Sequence, residues 1–202
     1  MPIIIDSYSQ GSPEWFEAKL GNPGASSISK IITTKGEKSK QAKDYMYQLA
    51  GELISGRYEE TYQSIHMERG LERELEARVL FEILNNVTVR EVAVVYKDEQ
   101  KKFHVSPDGL IGDNAGIEIK APMAKTQVKY LLDEKLPTEY FSQVQMSLYV
   151  CEREYWWFFS YVPSMSPLTI RVERDEKFIS SLANALDSFN AELEKTVEKL
   201  KR

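Results

Sequence analysis

One cysteine in 202 residues, Cys151, excludes an internal disulfide and any zinc site built on cysteines. Two histidines, His66 and His104, leave no histidine cluster. A metal site in this chain would therefore be built from carboxylates. No apolar run approaches the roughly 18 residues of a membrane-spanning helix, so no membrane partner is expected. A basic excess is also missing, because the formal net charge is −5. A chain of this balance that binds phosphate must gather its lysines and arginines in a local groove. The opening Met1-Pro2-Ile3-Ile4-Ile5-Asp6 is short and acid-interrupted, unlike a signal peptide, and a reducing cytosol is the expected compartment.

What is present is ordinary for a globular protein: 42% hydrophobic and 28% charged residues. The length predicts one domain spanning 1–202, large enough for a real core. No internal repeat or long linker is visible.

The organising stretch is Ser106-Pro107-Asp108-Gly109-Leu110 followed by Gly116-Ile117-Glu118-Ile119-Lys120. Between them lies Gly112-Asp113-Asn114-Ala115-Gly116, which is strong turn chemistry. A hairpin centred near Asn114 sets Asp108 opposite Lys120 and diagonal to Glu118. Side chains alternate along a strand, so these three share one face, while Ile117 and Ile119 point to a core. Two carboxylates held close repel unless a cation sits between them, and all-oxygen ligands suit Mg²⁺ or Mn²⁺. The lysine would steady an attacking water or a scissile phosphate. The bland alternative is a surface hairpin with a cross-strand ion pair.

Along the chain, Ser12-Pro13-Glu14 reads as an N-cap, a proline in the first turn and an acid behind it. The helix it starts runs through Lys19-Leu20 and stops at Gly21-Asn22-Pro23-Gly24. A second short helix, Ile28 to Ile32, follows Ala25-Ser26-Ser27. Those serines are either caps or, with Lys19 and nearby N–H groups, a phosphate pocket. Residues 33–41 carry three lysines and a glycine and read as a mobile basic loop, either solvated or touching a phosphate backbone.

A helix over about 40–55 places Ala42, Tyr45, Leu49, Leu53 and Ile54 on one core stripe. After a loop at 57–65, a helix to Leu84 aligns Gly70, Glu74, Ala77 and Phe81. Glu74 either pairs with Arg73 or Arg78 on a solvated face or leans towards the hairpin carboxylates as a third acid. Strands are predicted at Val87–Tyr96 and Lys102–Ser106. Helices are predicted at 124–135, with Val128, Leu131 and Leu132 apolar, and at 139–151, with Phe141, Val144 and Leu148 in the core. Gln143 sits at the margin of that stripe, either on the surface or aiming its amide at an attacking water. Tyr155 to Val162 is apolar on both faces and reads as a buried central strand. Another strand, Leu168–Glu173, and a final helix over 175–201 complete an α/β fold with a mixed sheet flanked by helices.

Pro107-Asp108 with Glu118-Ile119-Lys120 resembles the PD-(D/E)xK nuclease signature. Other motifs add to it: Glu14-Trp15 with Lys19-Leu20-Gly21 and Ala25-Ser26; Ala77-Arg78-Val79-Leu80-Phe81-Glu82; Gln143-Val144-Gln145; and Val172-Glu173-Arg174-Asp175-Glu176-Lys177. In this order they resemble the bacteriophage lambda exonuclease family, the YqaJ-type viral recombinase nucleases, from about Glu14 to about residue 180.

The resemblance implies a restriction-endonuclease-like core and a Mg²⁺-dependent exonuclease. Such an enzyme degrades one strand of duplex DNA from its 5′ end to mononucleotides and leaves a 3′ overhang. It implies a homotrimeric ring acting on double-stranded DNA ends, with a single-strand annealing protein, in phage recombination inside a bacterial cell. By the same resemblance Asp108, Glu118 and the Ile119 carbonyl bind metal, and Lys120, Glu74 and Gln143 serve catalysis. Lys19, Ser26 and Ser106 hold the 5′-phosphate. The expected mechanism is two-metal hydrolysis, with Lys120 either base or electrostatic stabiliser. The family commonly has arginine where this chain has Lys19, and a lysine offers a point charge instead of a fork. The competing readings are an endonuclease or repair nuclease of the same superfamily and a non-catalytic binder of DNA ends.

Overall fold

The computed structural model describes residues 1–58 and 65–201, with the side chains of 65–72 outside that description. The expected loop at 57–65 and the surroundings of Gly70 fall largely or wholly outside it.

Two sheets carry the fold. The first is a small antiparallel sheet of β1 (Ile3–Ile5), β2 (Val94–Tyr96) and β3 (His104–Val105), in that order. The second is a mixed sheet of β4 (Gly109–Ile111), β5 (Ala115–Lys120), β6 (Tyr155–Ser160) and β7 (Leu168–Glu173). Within it β4–β5 and β6–β7 are antiparallel, and β5–β6 is parallel. A parallel pair cannot be joined by a tight turn, and the chain between β5 and β6 forms two helices. These are α4 (Ala124–Asp133) and α5 (Thr138–Cys151). The remaining helices are α1 (Pro13–Lys19), α2 (Ala42–Ser55), α3 (Ile65–Asn85) and α6 (Glu176–Leu200), with a 3-10 helix at Ala25–Lys30.

Local chemistry explains the starts of two helices. Ser12 caps α1 by accepting from the Trp15 N–H, and Asp175 caps α6 by accepting from the Phe178 N–H at 2.9 Å. The mixed sheet is covered on both faces. Trp156 and Phe158 pack into the larger core with Val144, Leu148, Leu182 and Leu186. Phe159, Ile117 and Ile119 pack on the other side against Ala77 and Phe81 of α3. The central strand is thus the aromatic one, as its two-faced apolar pattern predicts, although Tyr155 and Trp157 are only half-buried.

Four expectations need correction. The strand predicted over Val87–Tyr96 is regular only at Val94–Tyr96. Before it, the Val89 N–H turns to the Glu82 carboxylate at 2.7 Å, and Arg90 touches Leu110 as an isolated bridge. Ile54 is 44% exposed, because it sits past the edge of the buried face of α2, and Glu52 is buried there instead. The basic loop at 33–41 is closed by backbone bonds from Thr33 to Glu37 and from Ser39 to Ile31, with Lys38 beside Glu192 at 3.4 Å. Val128 and Leu132 of α4 face outward, and that helix buries Gln127 and Tyr130. Among the described residues, no helix is long and apolar enough to cross a membrane.

Candidate active site

The β4–β5 hairpin turns at Gly112-Asp113-Asn114, with Gly112 in the left-handed region at φ 52°. Its register pairs Gly109 with Ile117, Leu110 with Gly116 and Ile111 with Ala115. Continued outward, that register sets Asp108 opposite Glu118, not opposite Lys120. Moving the centre of the turn by one residue moves each partner by two, so the face is preserved while the neighbour changes. Asp108 lies just before β4, and its Oδ2 accepts from the Ile119 N–H at 2.5 Å.

The other side chains close around Glu118. That residue is 2% exposed, and its Oε1 accepts from both the Lys120 ammonium and the Gln143 amide of α5, the latter at 2.6 Å. Lys120 also lies 5.1 Å from the centre of the Tyr140 ring. Glu74 approaches from α3. It pairs with Arg78 at 3.0 Å, as the bland reading holds, yet its side chain is only 27% exposed rather than solvated. Arg78 itself is shared between Glu74 and Glu91.

The electrostatics are those of anions packed together. Burial, then Glu118 and Glu74, pushes the Asp108 carboxyl well above its usual range, against the pull of Lys120. Burial also pushes Glu74 up, against Arg78. Burial works against the Lys120 ammonium, but the Glu118 and Asp108 carboxylates outweigh it and hold its pKa above the ordinary lysine value. Among the described residues, no three His, Cys, Asp or Glu side chains form a ready metal cage. The donors on offer are two carboxylates and a backbone carbonyl, an all-oxygen set that leaves room for water and suits Mg²⁺. The placing of Asp108 opposite the buried Glu118 is the observation that fits a cation here, since a divalent charge would relieve the repulsion between the two carboxylates.

A second cluster lies beside the first. The Lys19 ammonium sits 3.4 Å over the Trp15 ring. The Trp15 indole N–H donates to Ser106 Oγ at 3.0 Å and to the Ala93 carbonyl at 3.2 Å. Ser106 is two residues before Asp108, so Lys19, Trp15 and Ser106 form a chain of contacts ending at the hairpin. Ser26 is exposed on the 3-10 helix, which begins at Ala25, earlier than the predicted Ile28. It makes no side-chain hydrogen bond among those of the described residues. The segment before it is tied to β3, because Gly24 bridges His104.

Several residues of the site region escaped sequence reasoning. Gln10 donates to the carbonyls of Pro107 and Val92, both at 2.9 Å, and so pins the approach to Asp108. Gln127 binds Ser160 at the end of β6, beside Lys120 in the register. Glu52 accepts from the Gly21 N–H at 3.0 Å. None has a local signal, although Glu52 does sit one step from a helical core stripe.

Comparison with known proteins bears on the family and the fold. The search of curated proteins finds no match. Among solved structures, the chain is similar to an alkaline exonuclease from Laribacter hongkongensis, at 31% identity over 95% of this chain and 97% of that one, with a TM-score of 0.85. The same relative is also known in complex with dAMP. A phage-related exonuclease from Haemophilus somnus 129PT shares the fold at 12% identity, covering 89% of this chain and 96% of that one, with a TM-score of 0.66. The architecture is the restriction-endonuclease-like α/β fold. Residues 14–154 match the family described as the YqaJ-like viral recombinase domain, and the chain belongs to that family.

Proposed function

We propose that this protein is a Mg²⁺-dependent exonuclease that removes nucleotides from the 5′ end of one strand of linear duplex DNA. It leaves a 3′ single-stranded overhang that suits recombination by strand annealing. The observation that carries the reading is the convergence of Asp108, Glu118, Lys120 and Gln143 at one end of the hairpin, with Glu74 brought in from α3.

Asp108, Glu118 and the Ile119 carbonyl would hold the metal, with Mn²⁺ a substitute, and two bound ions would supply water activation and charge neutralisation at the leaving oxygen. Lys120, held as an ammonium by its carboxylate neighbours, stabilises the negative charge that builds on the phosphate. Gln143 fixes the Glu118 carboxylate by donating to it and keeps its orientation when Lys120 turns to substrate. Glu74, anchored by Arg78, supports the same face.

Water attacks the phosphorus between the first and second nucleotides, and the bond from phosphorus to the 3′ oxygen breaks. The first nucleotide leaves as a 5′-mononucleotide, and the shortened strand carries a new 5′-phosphate. Each cut therefore regenerates the group that Lys19, Ser26 and Ser106 would bind. The dAMP complex of the Laribacter relative supports a mononucleotide product. A homotrimeric ring and an annealing-protein partner belong to the same reading, and the mass of the protein in solution tests the first.

The experiment is digestion of linear duplex DNA with Mg²⁺, labelled at each 5′ terminus, beside a closed circle. Early release of the labelled terminal nucleotide with an intact circle is expected. A nicked circle would replace this reading with an endonuclease.

A further inference from the structure

Glu52 is a buried acid that the active site does not use. It is 1% exposed on α2, and no lysine or arginine lies within ion-pair distance of it among the described residues. Its Oε2 accepts from the Gly21 N–H at 3.0 Å, and its Oε1 accepts from the Gln48 amide at 3.2 Å. A buried carboxylate with no counter-charge is costly, so a cation nearby should answer it.

Lys19 is the cation whose charge Glu52 favours, from beyond ion-pair distance. It ends α1, two residues before the amide that Glu52 binds. The joint between the two helices is tight. Gly21 has φ 65°, and a side chain there would strike Leu53, whose Cγ would be 2.2 Å from the new carbon. Among the described residues, the other groups that Lys19 faces carry no charge at working pH. They are the Trp15 ring, the Tyr58 ring at 5.9 Å, and His104 of β3. His104 is 3% exposed, has an unpartnered Nδ1, and is held neutral by burial and by Lys19.

We propose that Glu52 is a positioning and specificity-determining residue: it fixes the end of α1 and supplies the counter-charge with which Lys19 meets a 5′-phosphate. The inference rests on the assignment of Lys19 to the phosphate pocket. Burial draws the Lys19 ammonium down to about 8, and Glu52 opposes that fall. An arginine would keep its charge at any pH, so a lysine here needs such a partner.

The test compares wild type with Glu52→Gln, which a flip of the Gln48 amide accommodates. Two quantities are followed against pH: the Lys19 Nζ titration by nitrogen-15 NMR, and the rate of release of the first nucleotide from 5′-phosphate relative to 5′-hydroxyl ends. In wild type the phosphate preference should fall as pH rises through about 8. In Glu52→Gln both midpoints should move down by about one unit, making the preference at pH 8.5 about fivefold to tenfold smaller. Lys19→Arg should make it flat with pH. A retained preference with unmoved midpoints in Glu52→Gln overturns the inference and leaves the pocket standing. A wild type without any phosphate preference overturns the pocket assignment and this inference together. If Glu52→Gln does not fold, the double variant Lys19→Met/Glu52→Gln decides: folding and melting at or above Lys19→Met supports the pair, and failure of the double variant to fold as well counts against it.

Discussion

Asp108 stands opposite Glu118 across the β4–β5 hairpin, and its carboxylate is bound by the amide of Ile119, next in the chain to Glu118. The strand that carries one acid thus fixes the other. This pairing makes Asp108 the sensitive point of the site. Asp108→Asn should lower nucleotide release at least ~1000-fold while the circular dichroism spectrum stays that of wild type.

The same substitution tests the crowding of charge. A carboxyl whose folded pKa is raised binds more protons folded than unfolded, so stability falls as pH rises from the ordinary carboxylate range towards its folded value. At pH 7 without metal, Asp108→Asn should therefore melt higher than wild type. Mg²⁺ should stabilise wild type more than the variant, and chelation should reverse that gain. Melting curves with Mg²⁺ and with chelator measure both.

Lys120→Met should reduce cleavage ~100- to 1000-fold and leave binding of duplex ends within a few-fold of wild type, read by fluorescence anisotropy in Ca²⁺. Wild-type activity in this variant would remove Lys120 from the chemistry.

Gln143→Ala should cost about 10- to 100-fold in rate, because Glu118 loses a donor but keeps Lys120. Gln143→Glu should be worse at low Mg²⁺ and partly recover as Mg²⁺ is raised. The Mg²⁺ dependence of the initial rate separates the two variants.

Burial lowers the His104 imidazole from 6.5 to about 3. Between those values the unfolded chain binds a proton that the folded one does not, so stability rises with pH across that window and is lost on acidification. Full titration would cost on the order of 5 kcal/mol. His104→Asn should flatten the stability profile between pH 6.5 and 4, measured by urea unfolding. Gly24→Ala should destabilise by about 1–3 kcal/mol at neutral pH, since the added carbon would lie 2.8 Å from His104 Nε2.

The acids and the lysine of the hairpin were legible because alternation is a local property. Asp108, Glu118 and Lys120 share a face in either register, and only the neighbour of Asp108 changed when the turn settled on Gly112-Asp113-Asn114. The aromatic central strand, the cap at Ser12 and the helix stripe that carries Glu74 were readable for the same reason. What sequence could not decide depends on elements far apart in the chain. The small sheet forms because Ile3–Ile5 finds Val94–Tyr96 some ninety residues later. Gln10 reaches Pro107, Gln127 reaches Ser160 and Glu52 reaches Gly21. A polar side chain carries no mark of being buried until another element brings the partner that satisfies it. The identity of the proposed catalytic groups was thus written in local pattern, while their neighbours and the burial of Glu52 beside the end of α1 were set by which segments the tertiary fold packs together.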